Sequence, residues 1–494
     1  MMVEVLNAWC LLATGALVLR AAGMRGWGIL PFAFLVGMCL EIGFGFVQAF
    51  TPLPGSPLLT WALMLATSGG AWFARRRRGS QAGLPWHGVA AVGAGAAGAV
   101  ALFRWLRIYT WHIDSLEYVQ QAELLVRGRF TATADAYMLD KRLIAFPIIE
   151  APAQLSGADV LYSVVPLLAI ATLGALAWFL QTGVTSGLGR GTEAGVIAVA
   201  VVALATMNRF VANASYVNGH LLAAALLLLG AGSCWLLLEG PAAVARPMLV
   251  VLALAAPALI LVRPEGIFLA VLVIAPMVVS PRVPMRSRRV VAVAVGAVGA
   301  VWYGFVGVMA LVRDEDGPRS LAVAGACVAL VALGLALPLV RPHGRIDIAL
   351  ARAPLALDWG LWIGVGIAIA AAPRLMGDSA RSLILNAFAI DGVWGLSFDA
   401  LAILVVAALL IRRSDGPSPL RAVVTGFLPM AFILAYARGS AYRVAVVDSL
   451  NRMLIEVVPV AVLLVVAIAA GRQTEAAEPT SERARGATLR SGPR

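Results

Sequence analysis

Lysine is all but missing: Lys141 stands alone among 494 residues, and Asp, Glu, Lys and Arg together make up only 13% of the chain. A soluble globular protein carries about a quarter of its residues as charges, so this scarcity argues against one. Cysteine is scarce too. Cys10, Cys39, Cys234 and Cys327 all lie in apolar stretches, which leaves no disulfide framework and no zinc-ligand spacing and makes them packing residues. There is no phosphate loop, Walker lysine or dinucleotide fingerprint, so ATP use is not expected. Met1 to Gly23 lacks a basic leader and continues into more apolar sequence, so no cleavable signal peptide is expected.

What fills the chain instead is apolar surface. Hydrophobic residues reach 61% and the mean hydropathy is +0.89. Runs of membrane-spanning length fall at 3–23, 27–50, 54–74, 86–103, 158–180, 193–207, 219–238, 247–262, 265–280, 290–312, 320–340, 355–373, 396–411, 420–436 and 453–470. They predict an all-α polytopic membrane protein of about 13–15 transmembrane helices, because lipid offers the backbone no hydrogen-bond partner and the runs lack the alternation of a barrel. The 247–280 region is short for two crossings, and a broken or re-entrant hairpin is an alternative there. Gly-rich Val92–Val100 reads as close helix packing.

The net charge of +12 is almost wholly arginine, and its placement reads as topology rather than as nucleic-acid binding. Arg75–Arg78, with Arg282, Arg286, Arg288 and Arg289, mark cytoplasmic loops; Arg341, Arg345, Arg412, Arg413 and the tail 471–494 follow by alternation. That tail has no apolar periodicity and is expected to be disordered, leaving 1–470 as one transmembrane domain. The loops 104–157, Asn208–Asn218, Arg263–Glu265, Arg313–Arg319, Arg374–Gly395 and Ala437–Arg452 then face outward. The unusual acids and arginines gather with them.

The large outer loop reads Y-T-W-H-I-D-S-L-E-Y-V-Q-Q-A-E-L-L-V-R-G-R-F from Tyr109 to Phe130. Ser115 to Arg127 predicts a short interfacial helix with Leu116, Val119, Ala122 and Leu125 or Val126 on its apolar side. Asp114 with Glu117 resembles a capping box, and Gly128 is placed to end the helix. The same two carboxylates, one turn apart with His112 and Tyr118 beside them, could activate a hydroxyl or hold a divalent metal. Capping does not exclude catalysis.

Asp114, Tyr118, Ala122 and Gly128 resemble the D…Y…A…G pattern in the first large outer loop of GT-C-type glycosyltransferases, integral membrane enzymes that take sugars from polyprenyl-phosphate carriers. Arg263-Pro264-Glu265-Gly266 is similar to the R-P-E-G junctions of that superfamily, and Asp448-Ser449-Leu450-Asn451-Arg452-Met453 to the polar turn before a late helix. The resemblance implies Asp114 as the catalytic base of an inverting transfer. It departs from members with two adjacent acids, since Ser115 follows Asp114 and the second acid waits until Glu117; this leaves a divalent metal, with Asp114 and Glu117 as its candidate ligands, open.

Sugar transfer from a polyprenyl phosphate expels an anion while an acceptor hydroxyl loses a proton, so the chemistry asks for a carboxylate and fixed cations. Arginine suits the second role because its planar donors grip phosphate oxygens in pairs. Arg263, Arg443 and Arg452 are the candidates for the donor phosphate; His112, Tyr118, Lys141, Arg142, Glu265 and Asp448 are candidate substrate contacts. The expected partners are the lipid bilayer, a polyprenyl-phosphate-linked sugar, and a cell-envelope glycan, lipid or protein as acceptor, at the extracytoplasmic face of the cell membrane. A transporter or flippase of lipid-linked saccharides is the alternative, and a non-catalytic scaffold the third. Asn213-Ala214-Ser215 is read as a chance sequon and His220 as structural; Glu41, inside a span, is expected to pair internally.

Overall fold

The computed structural model describes residues 1–51, 55–77, 86–106, 113–130, 143–185, 188–280, 282–313, 325, 353–388, 394–411, 418–439 and 449–477. Among the described residues the protein is built of 18 helices, and eight of them are long and apolar enough to cross a membrane. In chain order the first half holds α1 (Met2–Ala22), α2 (Ile29–Ala49), α3 (Pro57–Arg77), α4 (Trp86–Leu106), α5 (Ile113–Val126), α6 (Ala145–Glu150), α7 (Val164–Gly183), α8 (Arg190–Ala205) and α9 (Asn208–Asn213). The second half holds α10 (Gly219–Glu239), α11 (Ala242–Ile260), α12 (Gly266–Val279), α13 (Met285–Arg313), α14 (Ala353–Ala371), α15 (Pro373–Phe388), α16 (Leu396–Ile411), α17 (Ser418–Arg438) and α18 (Ser449–Ala477). The polytopic all-α class read from hydropathy is the one observed. The apolar run 320–340 lies outside the described residues apart from Gly325, and α18 runs on into the first residues of the tail.

The bundle is organised around α10. Gly219 to Leu236 is buried on every side, as expected of a helix that is apolar all round. It packs against α7, α11, α12, α17 and α18. The end of α10 that begins at Gly219 is therefore the floor on which the outer-loop elements rest, and Asn218 caps it by accepting the His220 backbone N–H at 2.7 Å.

Polar contacts join those chain ends that arginine placement assigns to one face. At the end carrying α5, Arg104 meets Glu4, Gln48 meets Thr60, and Asn451 reaches the Asn386 carbonyl. At the opposite end, Arg75 reaches the Ala21 carbonyl, Trp27 reaches Gln181, and Arg288 reaches the carbonyls of Val278 and Val283. The α11–α12 hairpin follows the same rule. Tyr303 of α13 donates to the Pro264 carbonyl at 3.2 Å while Arg288, fifteen residues and about 22 Å away along the same helix, reaches the far end of α12. α12 thus runs beside part of α13; its 14 residues, about 21 Å, fall short of a full bilayer crossing.

Two local readings change. Residues 373–388, expected as part of an outer loop, form α15, whose buried side presents Met376, Ser379, Ser382 and Asn386 at helical spacing. In α5 the expected apolar face is rotated: Ser115, Tyr118, Gln121, Ala122 and Leu125 are buried, whereas Leu116 is 58% exposed. Hydrogen bonds from the helix start set that register, with Ser115 Oγ donating to the Val217 carbonyl at 3.0 Å. Gly128, with φ of 64°, closes the helix as expected, its N–H and that of Arg129 returning to Leu125 and Leu124.

Within Val92–Val100, Gly93, Ala96 and Val100 of α4 pack on α1, but the tightest glycine contact is between α1 and α2. A Cβ on Gly95 or Gly98 of α4 would meet nothing within 4 Å, but one on Gly37 would stand 2.2 Å from the Leu11 carbonyl oxygen of α1. Gly37→Ala is therefore expected to force α1 and α2 apart and to lower stability by about 1–3 kcal/mol. Gly43→Ala, in open space on the same helix, should be neutral or gain up to about 1 kcal/mol of helix propensity. Thermal unfolding of the two variants in detergent checks the contrast; equal midpoints would contradict it.

Candidate functional site

Two helices that lie 338 residues apart in sequence meet at this site. The start of α5 and the start of α18 face one another, and each presents polar groups at i and i+4, which a helix places on one side. Asp114 and Tyr118 come from α5; Arg452 and Glu456 come from α18. The result is two layers.

In the upper layer Arg452 Nη1 lies 2.6 Å from Asp114 Oδ2. The same guanidinium nitrogen donates to the Tyr216 hydroxyl at 2.9 Å, and that hydroxyl donates to Asp114 Oδ2 at 3.2 Å. Three side chains from three parts of the chain thus close a triangle. Tyr216 is delivered by the segment between α9 and α10, which Asn213 and Asn218 stitch together side chain to side chain at 3.3 Å. Burial pushes the Tyr216 phenol up; the Arg452 charge opposes this and the Asp114 carboxylate adds to it, so the hydroxyl stays a donor at neutral pH. The Asp114 and Arg452 side chains are 12% and 16% exposed, within reach of a ligand from the α5 end. Arg452 Nε has no hydrogen-bond partner among the described residues. Burial lowers the basicity of Arg209 in α9, and the nearby Arg452 charge lowers it further, so two guanidinium groups share this corner.

The lower layer is closed. Arg263, in the tight turn that Pro264 imposes between α11 and α12, sets its Nε 3.0 Å from Glu265 Oε1 and 3.8 Å from Glu456 Oε1. Glu456 in turn lies 2.8 Å from His220 Nδ1. Burial works against the Arg263 charge, but Glu265, Tyr118 and Glu456 outweigh it and hold the guanidinium protonated. Arg263, Glu265, Glu456 and His220 are each less than a tenth exposed. Buried charges persist only when paired in this way, and breaking one pair leaves another charge stranded. Tyr118 packs its ring on Phe146 of α6, with centroids 5.0 Å apart, and so joins the floor to the loop elements.

Of the residues singled out in the sequence, Asp114 and Arg452 are in direct contact, and Tyr118, Arg263 and Glu265 lie one turn deeper. Glu117 falls one turn along α5 from Asp114. His112, Lys141, Arg142, Arg443 and Asp448 lie outside the described residues. Among the described residues no three His, Cys, Asp or Glu side chains form a metal-ligand group, so a divalent ion would rest on Asp114 and Glu117 with its other ligands from substrate or water. The sequon asparagine is not free for modification: Asn213 is 2% exposed and its amide donates to the Arg209 carbonyl at 2.8 Å.

Tyr216, Arg209 and Glu456 are the residues that sequence reasoning missed. Tyr216 gives no signal of its own. Glu456 does, as the single acid in the apolar run after Arg452, and an ionisable residue inside a span normally has a named partner. His220, read as structural, is buried and lies 2.8 Å from Glu456. No family model, curated protein or solved structure matches the chain.

The Asp114–Arg452 pair should be energetically coupled. A double-mutant cycle with Asp114→Asn and Arg452→Gln, read by unfolding in detergent, is expected to give a coupling energy of about 1–3 kcal/mol. Additive single effects would mean that the two side chains act independently.

Proposed function

We propose that the chain is an inverting glycosyltransferase of the cell membrane, moving a sugar from a polyprenyl-phosphate carrier to a cell-envelope acceptor at the extracytoplasmic face. The observation that supports this reading most is the contact between Asp114 and Arg452: a carboxylate and a guanidinium, brought together from distant helices at one rim of the bundle. The resemblance of the loop to GT-C enzymes supplies the reaction class, and the paired groups are the two that reaction needs.

In this reading the donor phosphate takes over the Arg452 guanidinium, whose Nε is already without a partner, and Arg209 adds a second positive charge nearby. Phosphate and carboxylate compete for one cation, so donor binding loosens Asp114 from Arg452 and frees its oxygen. The acceptor hydroxyl then attacks the anomeric carbon as the bond to the phosphate oxygen breaks. The bonding pair leaves with the lipid phosphate, Asp114 takes the hydroxyl proton, and a single displacement inverts the centre. Tyr216 holds both groups in register before donor arrives. Arg263 acts below, as a brace: paired with Glu265 and Glu456, it fixes the turn and the start of α18 from which Arg452 projects.

The test is release of lipid phosphate from a panel of lipid-phosphate sugars. Asp114→Asn should reduce release by about 10²–10⁴-fold, the usual worth of a general base, a loss far larger than the modest stability loss that follows from removing one partner of the Asp114–Arg452 pair and that leaves the protein folded at the assay temperature. Full activity in that variant would refute the assignment. Movement of the lipid-linked saccharide across a vesicle membrane with no phosphate release would favour a transporter instead.

A further inference from the structure

One membrane-buried carboxylate plays no part in the Asp114 site. Glu41, in the middle of α2, is 1% exposed; Trp61 of α3 donates its indole N–H to Oε1 at 3.2 Å, and Oε2 has no hydrogen-bond partner. Among the described residues no Lys or Arg pairs with it. An ionised carboxylate at such depth costs about 3 kcal/mol or more unless something balances it.

Glu41 lines a cavity of about 30 Å3 between α2, α3, α5 and α6, whose walls also include Gln48, Ser56, Thr60, Leu125 and Ile148. That is the room of one water. Its polar side is continuous with the α5 end of the bundle: Gln48 Nε2 donates to Thr60 Oγ1 at 2.9 Å, seven residues and about 10 Å along α2 from Glu41. The groups acting on Glu41 from the packed helices are acids or thiols. Cys10 faces it from α1 and Glu150 from α6; Glu4 of α1 is already paired with Arg104. The arginines of α3 and α11 lie at the opposite end of the bundle, and α7 has no charged residue. Glu150 is itself fully buried, with one oxygen accepting the Leu161 N–H at 2.7 Å and the other unpartnered; burial pushes its carboxyl up to about 8. Two buried carboxyls with open oxygens and no cation between them among the described residues each need a proton or another cation, and a water-sized space lies beside one of them, Glu41.

We infer that this cavity is a binding site for one small monovalent cation, a proton carried on the Glu41 carboxyl with water beside it or a sodium ion balanced by the Glu41 carboxylate, reached from the α5 end. A divalent ion is disfavoured because the cavity offers it a single carboxylate, and such ions gather several. The inference does not depend on sugar transfer.

Carbodiimide modification tests it, because the reagent adds to a protonated carboxyl in an apolar setting and the adduct is read by peptide mass. With purified full-length protein in detergent, the adduct is expected on the peptide holding Glu41 and absent from Glu41→Gln; the Glu150 peptide is scored separately. If the occupant is a proton, labelling falls about tenfold for each pH unit above the midpoint and ignores sodium. If it is sodium, labelling falls at fixed pH as sodium chloride replaces choline chloride, and a response to both means competition. Glu41 unmodified under every condition, or modified without regard to pH or sodium, overturns the proposal.

Discussion

The salt bridge between Asp114 and Arg452 is the interaction on which the architecture of the α5 end depends. It ties a loop helix to the last helix of the bundle, while Ser115 and Tyr118 fasten the same helix to the segment before α10 and to α6. Tyr216 completes it, and through Tyr216 the segment before α10 is fixed as well. One turn deeper, the pairing of Arg263 with Glu265 and Glu456 repeats the arrangement in a drier setting. The upper layer is reachable and the lower is not, which in the proposed reading divides their work: one set of charges would meet a ligand, the other keep the first in place.

This division follows from membrane physics. Charges are costly inside a bilayer, so those that remain pair with one another and collect where the backbone is interrupted. Here the interruptions are the turn at Pro264, the loop before α10, and the start of α18. All three lie at the same end, because each terminates a span that crosses in a fixed direction. The apolar helices do not choose a chemistry, but they determine which polar segments can meet.

Much of the fold was legible before any coordinates. Long apolar runs marked most of the helices, and the described polar contacts join ends that arginine placement assigns to one face, since charge and hydropathy are local properties of the chain. Asp114 and Arg452 stood out because acids and arginines are rare in it. That they touch each other was not legible, since a contact across 338 positions leaves no periodic trace. Tyr216 was invisible for the same reason. The register of α5 was misjudged because its leucines suggested one face while the hydrogen bonds of Ser115 and Asp114 selected another. α15 fell between two apolar runs and was assigned to an outer loop by alternation, although Met376, Ser379, Ser382 and Asn386 have helical spacing.

The central claim is that Arg452 exchanges a carboxylate for a phosphate. A structure determined with a polyprenyl-phosphate sugar bound tests it most directly. The account predicts phosphate oxygens within hydrogen-bond distance of the Arg452 guanidinium, and Asp114 turned away from that guanidinium toward the sugar. A bound donor whose phosphate lies elsewhere, with Asp114 and Arg452 still paired, would contradict it.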